Sequence, residues 1–231
     1  MAFTILKPEQ ISGPVRGVLF DMDGLVLDSE KLYTRFWIEA AAHYGFSMVW
    51  EQALQLRAAN RTLSETILHR LCGPDADWNS IRLKRNELLN AHIDANGIEI
   101  KPGIRELLDC LKEKGIPAAI TSSSPPERIR DHLSSIGLHH RFTAICSGYT
   151  VPNGKPAPDI YLHGAAALGQ KPEDCLALED APTGIESAWR AGCLAVIVPD
   201  LDQPQQETLD RCFAKADSLL DVAAFLRQTQ P

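Results

Sequence analysis

The stretch at residues 18–30, VLFDMDGLVLDSE, constrains this chain more than any other part of it. Val18, Leu19 and Phe20 form a short unbroken apolar run, the mark of a strand buried on both faces of a parallel sheet. The run ends in Asp21, and Asp23 and Gly24 follow at once. Two carboxylates one residue apart, where a buried strand runs out into a loop, can face one small volume. In open α/β sheets that edge is where ligands bind. Gly24 lets the backbone fold tightly beside them. Close carboxylates repel, so the pair needs a cation, and hard oxygen ligands with few protein contacts suit Mg²⁺.

Two other readings fit the same letters. Asp-x-Asp-Gly also opens a calcium loop, but that loop needs a third oxygen ligand before its glycine and a glutamate at its end. Leu25, Val26 and Leu27 suit it badly. Asp and Gly are also ordinary turn residues. The remainder of the chain has to decide.

From residue 29 to about 98 the pattern is helical. Leu32, Phe36, Ala40 and Tyr44 recur four apart, with Gly45 as a stop. Leu63, Ile67, Leu68 and Leu71 precede Gly73-Pro74, and Ile81, Leu88, Leu89 and His92 repeat the pattern. No strand signal interrupts the region. It reads as a helical bundle inserted after the first strand, spanning 29–98, with 1–28 and 99–231 making the core.

After Lys101 strands and helices alternate. Strands are expected at 116–121, 142–146, 175–178 and 195–198, and helices at 104–114, 127–136, 159–168 and 185–191. A short strand and helix close the chain over 217–226. Such alternation implies an α/β fold with a mostly parallel, Rossmann-like sheet covered on both faces.

Composition bounds the function. With 231 residues the chain is one large domain or one domain carrying an insert. A net charge of −7 argues against nucleic-acid binding, which shows a basic face. It does not argue against an anionic substrate, because a metal and one lysine reverse the field locally. No apolar run reaches membrane-spanning length. The opening MAFTILKPEQISGPVRG lacks the apolar core and cleavage site of a secretory signal. The six cysteines form no Cys-x-x-Cys and sit in apolar segments, which reads as buried reduced thiols in a cytoplasmic protein rather than a zinc site. Oligomeric state is not readable.

The ends of the expected strands carry the chemistry. The first gives Asp21 and Asp23. The second gives Ser122, a hydroxyl beside exposed N–H groups at a helix start, a natural anion site. Lys155 lies in GKPAP, a loop stiffened by two prolines, and the fourth strand ends at Glu179-Asp180. Singly, these read as a helix cap, a solvated lysine and a polar turn. Together and in this order they point to phosphoryl transfer.

The four motifs, DMDG, the strand-end Ser122, Lys155 in GKPAPD and Glu179-Asp180 in LEDAPTGIESAWRAG, resemble those of the haloacid dehalogenase superfamily with a helical cap. The likeness covers roughly residues 15–226. It runs towards the pseudouridine 5′-phosphatase-like proteins and, further off, the β-phosphoglucomutases. It implies an Mg²⁺-dependent phosphatase of a small phosphorylated metabolite, with Asp21 as nucleophile and Asp23 as general acid and base. Ser122 and Lys155 would hold the phosphoryl oxygens with nearby N–H groups, such as that of Ser123. The metal would lie at Asp21, the Asp23 carbonyl and Asp180, with Glu179 beside it. In the cap, Asn60 and Arg61, and from the last cap helix Lys84 or Arg85, would approach substrate. Two departures from the mutases stand out. Tyr33 replaces a histidine, and Ala58 or Ala59 replaces a glycine before the arginine; both favour a phosphatase. A phosphosugar isomerase and a non-catalytic binding protein stay open as alternatives.

Overall fold

The computed structural model describes residues 2–11, 13–57 and 61–229. The chain divides into two compact units, Met1–Leu27 with Glu99–Pro231, and Asp28–Ile98.

The first unit is built on a seven-stranded sheet. Its strands are β1 (Phe3–Ile5), β2 (Gly17–Phe20), β3 (Ala118–Ser122), β4 (Ala144–Ser147), β5 (Cys175–Glu179), β6 (Leu194–Ile197) and β7 (Ala214–Ala216). They lie in the order β1-β7-β6-β5-β2-β3-β4. All neighbours pair in parallel except β1, which lies antiparallel on β7 at one edge. Every residue of β2, β3, β5 and β6 is buried, as an unbroken apolar run requires of a strand covered on both faces. β2 is where the chain order reverses, since β3 and β4 lie to one side of it and β5, β6 and β7 to the other.

Register fixes what happens next. Phe20 pairs with both Ile120 and Leu178. The three central strands therefore run out together, and Asp21, Thr121–Ser122 and Glu179–Asp180 reach one sheet edge at the same level. A topological switch point is the crevice where open α/β sheets hold ligands.

Helices α5 (Ile104–Glu113), α6 (Pro126–Ser135), α7 (Asp159–Ala167), α8 (Pro182–Arg190), α9 (Gln206–Leu209) and α10 (Leu219–Thr229) belong to the same unit. One cluster packs Leu19, Ala119 and Ala177 of the sheet with Tyr161, Ala165 and Ile185 of α7 and α8. Gly164 permits the close approach of α7, because a Cβ there would sit 2.8 Å from Thr121 Cγ2.

The second unit holds α1 (Glu30–His43), α2 (Trp50–Ala53), α3 (Arg61–Cys72) and α4 (Trp78–Asn96). Trp37, Ala40, Leu68 and Ile81 are among the residues of its own core. The Arg85 guanidinium lies near two rings of α1, 4.9 Å from Tyr33 and 4.7 Å from Trp37. α4 starts before the expected residue 81, because the Asp77 side chain caps it by accepting from Ser80 N at 2.9 Å. Among the described residues this unit contains no strand.

Besides the earlier start of α4, several elements differ from the sequence reading: the four-residue helices α2 and α9 were not expected, being too short to show a helical repeat. β1 was not expected: it is three residues long and two of them are exposed, so no apolar run announces it. The last strand ends at Ala216 rather than starting near residue 217. All six cysteines are free thiols, and five are buried. No helix among the described residues is long and apolar enough to cross a membrane.

Candidate active site

The common strand edge gathers an ion-paired acidic cluster. Asp21 N donates to Leu178 O at 3.0 Å, which ties the start of the DMDG loop to β5. Lys155 Nζ donates to Asp21 Oδ1 and to Glu179 Oε1, both at 2.6 Å. The Tyr161 hydroxyl donates to the same Glu179 Oε1 at 2.5 Å. Carboxylate oxygens of Asp21, Glu179 and Asp180 lie within 4.8 Å of one another, and all three residues are buried.

One lysine facing two buried carboxylates leaves a negative charge over. Burial, helped by Glu179, pushes Asp21 up to about 8, although Lys155 pulls it the other way. Burial alone would lower Lys155, but Asp21 and Glu179 overcome it and hold the ammonium well above its ordinary range. Both shifts say the same thing: the lysine is charged and the carboxylates outnumber it. An all-oxygen donor set with surplus negative charge fits a hard divalent cation.

Asp23 is held differently. It brings no carboxylate oxygen to the cluster of Asp21, Glu179 and Asp180. Its Oδ2 accepts instead from Ser124 Oγ at 3.2 Å. Ser124 is fixed in turn: its N–H donates to Ser122 Oγ at 3.1 Å, and its carbonyl accepts from Ser147 Oγ at 2.6 Å. The turn leads through Pro125 into α6, whose first residue is Pro126, the position in a helix where proline is best tolerated. His132 of α6 is buried, and its Nδ1 has no hydrogen-bond partner. Burial lowers this imidazole while the Asp23 charge works to raise it.

The Lys155 loop is clamped at both ends. Asn153 donates from its backbone N–H and side chain to Asp159 Oδ1, each at 3.1 Å. Ser187 Oγ of α8 donates to Ala157 O at 2.5 Å. The ammonium is thereby placed by the loop, since its own long side chain is flexible.

Against known families, a model of the haloacid dehalogenase-like hydrolases matches residues 15–192, which carry Asp21, Ser122, Lys155, Glu179 and Asp180. The chain belongs to that family. It is 33% identical over 199 residues to hexitol phosphatase A of Escherichia coli, covering 84% of this chain and 88% of the relative. It is 31% identical over 196 residues to a probable pseudouridine-5′-phosphatase of Drosophila melanogaster, covering 82% and 84%. A crystal structure of a putative β-phosphoglucomutase from Thermotoga maritima superposes with a TM-score of 0.76 at 25% identity, covering 93% of this chain and 99% of that one.

In this haloacid dehalogenase-like hydrolase the structure brings Asp21, Lys155, Glu179 and Asp180 into one cluster, and joins Ser122 to Asp23 through Ser124. Ser123 is exposed on the same turn, where its Cα packs 3.3 Å from the place a Cβ on Gly148 would occupy. Arg61 and Lys84 belong to the helical unit. There Arg61 lies over the Trp78 ring at 5.3 Å, and Lys84 pairs with Glu87 at 2.7 Å. Ala58, Ala59 and Asn60 fall outside the described residues.

The sequence reading missed Tyr161, Ser124, Ser147, Ser187 and Gly184. Gly184 stood just before the helix expected at 185–191, and the structure places it in the first turn of α8, which starts at Pro182. A Cβ there would lie 1.9 Å from Glu179 Cδ and Oε1 and 2.2 Å from Oε2. Gly184→Ala is therefore expected to drive the Glu179 carboxylate off Lys155. Overpacking of this kind destabilises by about 1–3 kcal/mol. Thermal melting checks it: a midpoint equal to that of the parent protein would mean that Glu179 has room to move.

Proposed function

We propose that this hydrolase is a Mg²⁺-dependent phosphatase of a small phosphorylated metabolite, a sugar or nucleoside phosphate, working through a phosphorylated Asp21. It is a phosphoric monoester hydrolase, and relatives named as phosphatases over more than four-fifths of the chain support that class. The observation that carries the mechanism is the split between the two aspartates. Asp21 is paired with Lys155 in the buried cluster, and Asp23 is turned to the serine loop.

Asp21, Glu179, Asp180 and the Asp23 carbonyl would hold Mg²⁺, which supplies the charge that lets a carboxylate approach a phosphate dianion. Asp21 Oδ then attacks phosphorus as the bond to the substrate oxygen breaks. Asp23 gives its proton to the departing oxygen. Lys155, the Ser122 hydroxyl and the N–H group of Ser123 stabilise charge on the other phosphoryl oxygens. Asp23, now a carboxylate, takes a proton from water, which attacks phosphorus. The bond to Asp21 breaks and inorganic phosphate leaves.

In this reading the sheet unit is the catalytic core, residues 1–28 and 99–231, and the helical unit, 29–98, is the cap that selects substrate. Asn60, Arg61 and Lys84 are its candidate contacts. A cytoplasmic setting fits the six unpaired thiols. The likeness to a putative β-phosphoglucomutase keeps the isomerase as second reading. In that case the phosphoryl group would return to sugar instead of passing to water.

A panel of phosphorylated sugars and nucleosides, incubated with Mg²⁺, separates the two by free phosphate against isomerised phosphosugar. Chelation is expected to remove turnover, and added Mg²⁺ to restore it. Full turnover after exhaustive chelation, or tetrahedral Zn²⁺ bound in the cluster, would overturn the metal assignment.

A further inference from the structure

We infer that Tyr161 is a positioning residue, whose hydroxyl locks Glu179 in the orientation that serves Lys155 and the cation together. The inference rests on the reading of the acidic cluster as a divalent-cation site. It concerns a residue outside all four motifs.

Tyr161 is fully buried in α7, in the cluster of Leu19, Ala119, Ala165 and Ala177. A phenylalanine would fill that space equally well, so packing gives no reason for the hydroxyl. A buried phenol needs an acceptor, and this one is Glu179 Oε1 at 2.5 Å. The same oxygen accepts from Lys155 Nζ at 2.6 Å, and that ammonium lies 5.1 Å from the centre of the Tyr161 ring. Gly184 closes another side, with no room for a single methyl group against the carboxylate.

Two donors on one oxygen and a backbone wall beside the group leave the Glu179 carboxylate plane fixed before any cation arrives. With Lys155 alone, one hydrogen bond on a flexible side chain would remain to orient it. Hydrogen bonds to a metal-ligating group commonly change metal affinity by 10–100-fold when removed. Tyr161 stands in that relation to Glu179.

The test is Mg²⁺ binding by calorimetry on the purified full chain without substrate, comparing the parent protein with Tyr161→Phe. The variant is expected to bind Mg²⁺ about 10–100-fold more weakly. At saturating Mg²⁺ its kcat should return to within a few-fold of the parent, with KM unchanged. Replacing Tyr161 by 3-fluorotyrosine keeps the ring and the donor, and should retain the parent affinity. An unchanged affinity in Tyr161→Phe would overturn the inference. So would equal weakening in the fluorotyrosine protein, which would make packing the cause. A parent protein that binds Mg²⁺ and releases no phosphate from any ester would sink the phosphatase reading and leave the role of Tyr161 standing.

Discussion

Asp21→Asn is expected to abolish phosphate release while the metal-free protein becomes at least as stable as its parent. The activity half follows from covalent chemistry. An amide of the same size cannot attack phosphorus, and removing a covalent nucleophile's machinery costs on the order of 10⁴–10⁶-fold in kcat. The stability half follows from surplus charge. Burial pushes the Asp21 carboxyl from 3.8 up to about 8 in the folded chain. A raised acid stabilises the fold fully below its unfolded value and loses that stabilisation as pH rises through the folded one. Between about pH 4 and pH 8 the metal-free parent therefore weakens progressively relative to the asparagine variant, which carries no charge to bury. Asn Oδ1 can still accept from Lys155, and Lys155 keeps Glu179. Melting curves across that pH range, in chelator, should diverge with the variant the more stable above pH 8. A variant that melts well below the parent at every pH would mean that Lys155 needs Asp21 more than the cluster suffers from it. Normal phosphate release from folded Asp21→Asn protein would remove Asp21 from the role of nucleophile.

That opposition of activity and stability explains which parts of the site were legible. Asp21, Lys155 and Glu179-Asp180 are charges at the ends of apolar runs, where a fold built for stability alone has no use for them. They stand out in the sequence for that reason. Tyr161 does not, because at helical spacing an aromatic residue reads as core, and most of its side chain is core. Its function lies in one oxygen atom. Ser124 and Ser147 are hidden differently: serines at strand ends read as turn and cap residues, and their partners, Asp23 and the Ser124 carbonyl, come from other strands. Gly184 is legible only after the sheet register has placed Glu179 against α8.

The fold divides along a similar line. The central strands were readable because burial on both faces demands uninterrupted apolar runs. β1 was not, because a three-residue edge strand with two exposed residues makes no such demand. It exists through its pairing with Ala214, Lys215 and Ala216, some two hundred residues away. No local pattern holds that information.

Asp23→Asn should separate the two halves of the reaction. Asp23 is held by Ser124 rather than gathered with the other carboxylates, a placement suited to exchanging protons and not to bearing the charge of a cation. The first half-reaction needs a proton on the departing oxygen, and the second needs water relieved of one. Asparagine can still accept from Ser124, so the loop should keep its shape, but it can neither give nor take that proton. A sugar or nucleoside alkoxide is a poor leaving group, and general-acid loss there is expected to cost roughly 10²–10⁴-fold. An aryl phosphate leaves without help, so its first step should be nearly spared while the second still fails. Stopped-flow mixing of Asp23→Asn with an aryl phosphate should then give a burst of the aryl alcohol close to one equivalent per enzyme. Slow turnover should follow, with phosphate retained on Asp21. A residue that merely bound metal or shaped the turn would not distinguish leaving groups. Equal losses on aryl and alkyl esters, without a burst, would reduce Asp23 to its backbone carbonyl and its bond to Ser124. The proton would then have to come from elsewhere, and His132, buried with an unpartnered Nδ1 and sensitive to the Asp23 charge, would be the next group to replace.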